Sequence, residues 1–241
     1  MKYFKPIHKF SLEVTGKFAC FTDPICKVER TSYPAPTHGA LEYLIERIYG
    51  HPCIRYRIDK LFILSPIKYY GMYVNERPSM GDVNMTTGQV IVPEAVGQPP
   101  MQRMVTYLRD VDYVINFKMY YDKDYYRRHG LPVHAGENAA KHIDQLSRRI
   151  AKGQCEYNPV LGLSECGADF CEAPNKFAAC KDINESYYSL YKVVHLDDST
   201  SETAWCNVDI KDGVLDFSKS VIQMGDKEFN QEEFLNIEWR R

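Results

Sequence analysis

Hydrophobic spacing switches repeatedly between strand-like alternation and helical periodicity along the first 175 residues, and this switching restricts the chain to an α+β fold. Residues 9–14 alternate polar and apolar and read as a half-buried strand. Pro24, Pro34 and Pro36 mark a loop. Leu41, Leu44, Ile45 and Ile48 then share one helical face, with Thr37 as N-cap and Gly50 and Pro52 as the stop. Residues 53–64 read as a strand and 69–74 as its hairpin partner. Residues 75–100, with glycines at 81, 88 and 97 and prolines at 93, 99 and 100, read as a long loop or hairpin insertion. Another strand covers 111–120. A second helix covers about 138–151, with Ala140, Ile143, Leu146 and Ile150 facing inward and Gly153 ending it. Short β-like pieces follow at 160–163, 187–194, 204–210 and 214–217.

Up to about residue 175 the order is strand–helix–strand, strand–helix–strand, the topology of a modified ferredoxin-like (RRM-type) domain. Residues 1–175 are expected to form it. Residues 176–241 are expected to add a small antiparallel β-sheet, a β-rich C-terminal subdomain with an acidic end.

Charge and composition narrow the function. The net charge of −2 is unevenly spread: residues 181–241 carry 7 Lys+Arg against 13 Asp+Glu, a net of −6, which leaves +4 on residues 1–180. A polyanionic partner is therefore expected on the first three-quarters of the chain. No apolar run approaches the roughly 20 residues that span a bilayer. The opening residues, broken by Lys2, Lys5, His8 and Lys9, lack the apolar core of a signal peptide. A cytoplasmic protein without membrane contact is the expectation. The eight cysteines form no C-x-x-C pair, and the run Cys155, Cys166, Cys171, Cys180 matches no zinc spacing, so reduced thiols and no metal site are expected.

Motifs for nucleotide binding, serine hydrolysis and zinc peptidases are absent, and the acidic residues form no paired set for a two-metal centre. RNA supplies its own nucleophile, the 2′-hydroxyl, and its cleavage needs only a proton acceptor, a proton donor and a cation for the phosphorane. Lys141 and His142, at the start of the second helix, have the right chemistry, and the helix N-terminus adds donors for a phosphate. The same pair also fits a solvated surface. Spacing alone gives no reason to choose Tyr49, which ends the first helix and reads as a packing residue.

The N-terminal part of the chain, roughly residues 10–170, resembles the CRISPR-associated Cas family five in its type I-C (d) variant. The resemblance rests on Phe21-Thr22-Asp23-Pro24, Lys27, Glu29-Arg30-Thr31-Ser32-Tyr33, Pro36-Thr37, Ile48-Tyr49-Gly50-His51-Pro52 and Tyr107-Leu108-Arg109-Asp110-Val111-Asp112-Tyr113. It continues through Ala140-Lys141-His142, Arg148-Arg149, Lys152-Gly153, Leu161-Gly162 and Glu165-Cys166. It implies an endoribonuclease, needing no cofactor or metal, that cuts precursor CRISPR RNA at the 3′ base of the repeat hairpin and leaves a 2′,3′-cyclic phosphate. The product guide RNA (crRNA) keeps its 5′ handle on the protein, which joins the backbone and large subunits of the type I-C Cascade complex. By position, Tyr49, Lys141 and His142 are the catalytic residues, and Lys27, Arg30, Arg148 and Arg149 hold phosphates. Lys141 supplies charge. The base role stays open between Tyr49 and His142, because an ordinary tyrosine titrates near ~10. A non-catalytic subunit capping the 5′ handle and a metal-dependent nuclease are the competing readings.

Overall fold

The computed structural model describes residues 5–26, 29–76, 82–83, 90–91, 101–132, 136–195 and 201–239. In chain order the strands are β1 (His8–Ala19), β2 (Arg30–Thr31), β3 (Ile54–Ile63), β4 (Tyr69–Glu76), β5 (Asp82–Val83), β6 (Val90–Ile91) and β7 (Met101–Tyr121). They continue with β8 (Asp169–Glu172), β9 (Glu185–His195), β10 (Ser201–Lys211), β11 (Val214–Asp216), β12 (Ile222–Met224) and β13 (Lys227–Phe229). Helices are α1 (His38–Ile48), α2 (Tyr125–Arg128), α3 (Ala139–Lys152) and α4 (Gln231–Trp239). Among the described residues no helix is long and apolar enough to cross a membrane.

The sheet is predominantly antiparallel and organised around β7. Its second half lies between β3, which runs from Ile54 opposite Tyr121 to Ile63 opposite Tyr113, and β1, which runs from His8 opposite Met119 to Ala19 opposite Leu108. The first half carries β4 and the short parallel β2. β8 covers the free side of β1, giving the spatial order β3-β7-β1-β8. Asp110, with φ 53°, interrupts the regular extension of β7 at the point where β1 skips a register pair. The sequence reading begins this strand at 111, but the structure carries it back to 101, where β4 pairs with it. The insertion expected at 75–100 lies mostly outside the described residues.

Strands β9–β13 join the same sheet where β11 pairs with β3, Val214 opposite Phe62. The acidic end is not strand. It forms α4, opened by a reciprocal cap in which the Glu233 N–H donates to Asn230 Oδ1 at 2.9 Å and the Asn230 N–H donates to Glu233 Oε2 at 3.0 Å. Phe234 and Leu235 bury its inner face.

α1 follows its sequence pattern. The Ala40 N–H donates to Thr37 Oγ1 at 3.2 Å, and Leu41, Leu44, Ile45 and Ile48 are all buried. Each contributes about 1.5–3 kcal/mol of burial free energy. Its sheet-facing side also holds a buried polar group. Glu42 pairs with Arg57 of β3 and with Lys192 of β9, while His38 Nδ1 lies 3.8 Å from Glu42. His38 Nε2 accepts from the Ile58 N–H at 3.3 Å and lies 3.2 Å from Gln231 of α4. Charges buried this deeply are tolerated only when paired, so this network fixes how α1, β3, β9 and α4 meet.

α3 corrects one sequence expectation. Asn138 caps it and Gly153 ends it in the left-handed region, both close to the predicted bounds. Its buried face, however, is His142, Leu146 and Ile150; Ala140 is exposed. Gly162, at φ 89°, lets the chain pass so close to β1 that an added Cβ would sit 1.9 Å from the Cys20 carbonyl oxygen.

Candidate active site

Three chain segments converge where α1 ends. The turn from Gly50 to Cys53 links α1 to β3 and is held by the Asp122 N–H donating to the Cys53 carbonyl at 2.8 Å, just beyond the end of β7. α3 closes over it, with Glu137 immediately before its cap. Tyr49 is fixed by its neighbours: Tyr56 Oη donates to its carbonyl at 2.7 Å, and the Arg149 guanidinium lies 5.0 Å from its ring centroid while donating to the Ile48 carbonyl at 2.5 Å.

The centre is a chain of hydrogen bonds. Tyr49 Oη lies 2.6 Å from His142 Nδ1, joining residues 93 positions apart. His142 Nε2 lies 2.5 Å from Glu137 Oε1, and Lys141 Nζ donates to Glu137 Oε2 at 2.9 Å. Burial opposes the Glu137 charge, but the hydrogen bonds from Lys141 and His142 outweigh it and hold the carboxyl down at about 2. An ionised carboxylate only accepts, so Nε2 donates to it, and in the neutral imidazole Nδ1 presents its lone pair to Tyr49. Burial, reinforced by Cys53 and Glu137, pushes the Tyr49 phenol up to about 12. The phenol is therefore neutral at physiological pH and donates to Nδ1. Carboxylate, imidazole and hydroxyl thus stand in the order of a proton-relay triad.

Access differs along the chain. His142 has no exposed surface, Tyr49 keeps 6%, and the Lys141 side chain is 48% exposed. Lys141 and His142 are adjacent in sequence but face different ways, one outward and one into the core. The Lys141 N–H donates to the Asn138 cap at 3.0 Å, so this helix-start donor is already used. His51 and Cys53 complete the inner wall. His51 Nδ1 lies 3.0 Å from Cys53 Sγ, which lies 3.4 Å from Glu137 Oε1 and 3.6 Å from His142 Nε2.

The structure brings Tyr49, Lys141 and His142 together with Arg149. Arg149 grips the end of α1 and the Tyr49 ring. Arg148 is exposed on α3 and donates to Gln145 Oε1 at 2.5 Å. Arg30 sits on β2 opposite Val105, near the start of β7, whereas the site lies at the end of that strand. Lys27 lies outside the described residues. Sequence reading missed Glu137, His51 and Cys53. The one available signal for Glu137 was an acid directly before the Asn138 cap.

Comparison with known proteins gives a consistent picture. The family model for CRISPR-associated Cas5 proteins of the Cas5d type matches residues 10–205. A Mannheimia succiniciproducens protein named CRISPR pre-crRNA endoribonuclease Cas5d is 32% identical over 171 residues, covering 68% of this chain and 72% of that protein. A Thermus thermophilus protein of the same name is 32% identical over 162 residues, covering 67% of this chain and 63% of its own length. A crystal structure of a CRISPR-associated protein superposes with TM-score 0.65 at 19% identity, over 89% of this chain and 94% of that one. A functionally uncharacterized protein from Streptococcus mutans superposes with TM-score 0.63 at 18% identity, over 95% of both chains. At these identities the two superpositions speak to the fold alone.

Proposed function

Because this chain belongs to the CRISPR-associated Cas5d family, we propose that it is an endoribonuclease that cuts precursor CRISPR RNA within its repeats. It then keeps the 5′ handle as a subunit of a type I-C Cascade complex. The observation that carries the catalytic assignment is the 2.6 Å contact between Tyr49 Oη and His142 Nδ1, backed by Glu137.

The reaction is attack of the 2′-oxygen on the adjacent phosphorus, expelling the 5′-oxygen, which takes a proton from solvent water, and leaving a 2′,3′-cyclic phosphate; the proton gained by His142 returns to solvent through Tyr49, and no metal is required. His142 has no exposed surface and Tyr49 keeps 6%, so Tyr49 is the member of the pair that reaches the RNA. With its phenol held up at about 12, Tyr49 is not a free tyrosinate base at neutral pH. It instead accepts the 2′-hydroxyl proton as its own passes to His142 Nδ1. Glu137 holds the tautomer that makes this possible. Lys141, the more exposed of the two cations in the group, stabilises the phosphorane. Arg148 and Arg30 contact phosphates, and Arg149 positions Tyr49.

The scaffold we read for this site is ferredoxin-like, or RRM-type. The spatial order β3-β7-β1-β8, with α1 and α3 in the two connections, supports that reading. Residues 1–175 then form the RNA-binding and catalytic unit, and residues 176–241 extend it at the β3 edge.

The test is single-turnover cleavage of repeat RNA in EDTA, with RNA binding measured in parallel. Wild type should release a 2′,3′-cyclic phosphate end, and Tyr49→Phe and His142→Ala should bind but not cut. Binding without any cutting by wild type would leave only the handle-capping role, and activity that vanishes in EDTA would require a metal-dependent reaction.

A further inference from the structure

We propose that His51, Cys53, Glu137 and His142 form a binding site for one tetrahedrally coordinated zinc-class dication, and that loading it shuts down RNA cleavage. The regulatory half of this proposal rests on the cleavage reading above; the metal site does not.

Each of the four residues offers one donor atom, and all four atoms lie within 4.8 Å of one another. Among the described residues no other group of three or more His, Cys, Asp or Glu side chains gathers in this way. The cysteine run at 155–180, the one place where the sequence raises a zinc question, forms no such group. The donors arrive as two pairs, His51 and Cys53 from the α1–β3 turn and Glu137 and His142 from the start of α3. Two nitrogens, one sulfur and one oxygen suit zinc, which accepts all three donor types in tetrahedral sites.

The dimensions fit with small adjustment. Zn–S and Zn–N bonds of about 2.3 Å and 2.0–2.1 Å place tetrahedral donors about 3.4–3.6 Å apart. Cys53 Sγ to His142 Nε2 is 3.6 Å and Cys53 Sγ to Glu137 Oε1 is 3.4 Å. His51 to Cys53, at 3.0 Å, and Glu137 to His142, at 2.5 Å, must each widen by roughly half an ångström to one ångström. Outer partners are already in place. Lys141 holds Glu137 Oε2 and leaves Oε1 for the ion, and Tyr49 holds the far nitrogen of His142. His51 is the more exposed imidazole of the pair and marks the entry side.

The inhibitory consequence follows from proton positions. On binding, Cys53 gives up its thiol proton to solvent, and Glu137 already binds as a carboxylate. His142 must release Nε2 to the ion, so its single proton moves to Nδ1. That nitrogen then donates to Tyr49 where before it accepted, and the phenol has nowhere to send its proton. One proton leaves overall and no electron is transferred.

The experiment uses full-length, chelator-treated protein titrated with zinc against a chromophoric chelator, and with cobalt(II) followed by visible absorption. One ion should bind per chain, with tetrahedral cobalt bands and a sulfur-to-cobalt charge-transfer band. Cys53→Ser should lose that band, and His51→Gln should weaken binding at least tenfold. In parallel, one equivalent of zinc should slow wild-type cleavage of repeat RNA tenfold or more relative to EDTA, and His51→Gln should shrink that ratio toward one. Absent or weak binding that is unaffected by either variant overturns the site. Stoichiometric binding without a change in cleavage overturns the switch. Stoichiometric binding by a protein that never cuts RNA leaves the metal site standing and removes the cleavage reading instead.

Discussion

Replacing Glu137 by glutamine removes one charge while preserving shape, and it probes the relay at its least obvious member. Both carboxylate oxygens are committed, Oε1 to His142 Nε2 at 2.5 Å and Oε2 to Lys141 Nζ at 2.9 Å. An amide has only one acceptor oxygen, and the lysine ammonium can only donate. The carbonyl therefore turns to Lys141 and the NH2 group faces Nε2. Nε2 must then accept, the imidazole proton moves to Nδ1, and Tyr49 loses its acceptor. The lower bound on the damage is one lost charge-assisted hydrogen bond, about 1.5–3 kcal/mol, or about 10- to 150-fold in rate. The upper bound is the cost of a wrong histidine tautomer in a hydrolytic triad, about 10⁴-fold. The assay is the single-turnover cleavage rate in EDTA at saturating protein, with nitrogen NMR of the His142 ring to read which nitrogen holds the proton. Glu137→Gln should bind RNA, melt near the wild-type temperature, cut at least about tenfold more slowly and show the proton on Nδ1. If it cuts at the wild-type rate while His142→Ala is dead, the triad argument is wrong.

Three further outcomes are expected. Gly162→Ala should cost about 2–4 kcal/mol in denaturant unfolding, since φ 89° and a Cβ placed 1.9 Å from the Cys20 oxygen combine strain with overlap; a loss below about 0.5 kcal/mol would show that this crossing is loose. Burial holds the His38 imidazole down at about 3 despite the opposing pull of Glu42, with Arg57 and Lys192 adding to the depression. The unfolded chain binds this proton near ~6.5, so the stabilisation is complete above that pH and drains away as pH falls toward about 3, by at most about 1.4 kcal/mol per pH unit. His38→Gln should flatten that part of the stability–pH curve, and an unchanged slope would exclude His38 as its source. Arg149→Ala should slow cutting about tenfold through the loosened Tyr49 and barely alter RNA affinity; an equal loss in both would return Arg149 to the phosphate-binding set.

What could be read from the residues was what is decided locally. Thr37, the apolar face of α1 and the Gly153 stop are settled by groups within a few positions of one another. Leu146 and Ile150 were rightly placed on the buried face of α3, but His142 was missed because a periodicity reading treats it as polar, and its burial depends on Tyr49 and Glu137 satisfying both ring nitrogens. α4 was hidden by its charge, although Asn230 and Glu233 stand at cap spacing. β12 and β13 are three residues each, too short for any period to register. At the site, Lys141 and His142 carried a weak local signal, and Tyr49 came only by family resemblance. Glu137, His51 and Cys53 acquire meaning from a meeting of three segments that no local window contains.

The central position of β7 also decides when this protein can fold. Thr15 waits for Asp112, and Ile54 waits for Tyr121. As the chain leaves the ribosome, β1 and β3 emerge with open edges and must stay unpaired until some sixty to a hundred further residues have been made. Contacts this distant in sequence form slowly, and unpaired edges are the surfaces on which strands of other chains add. The same strand that gives the finished sheet its continuity therefore makes the nascent chain vulnerable, and a fragment ending before residue 101 would have no partner for either β1 or β3.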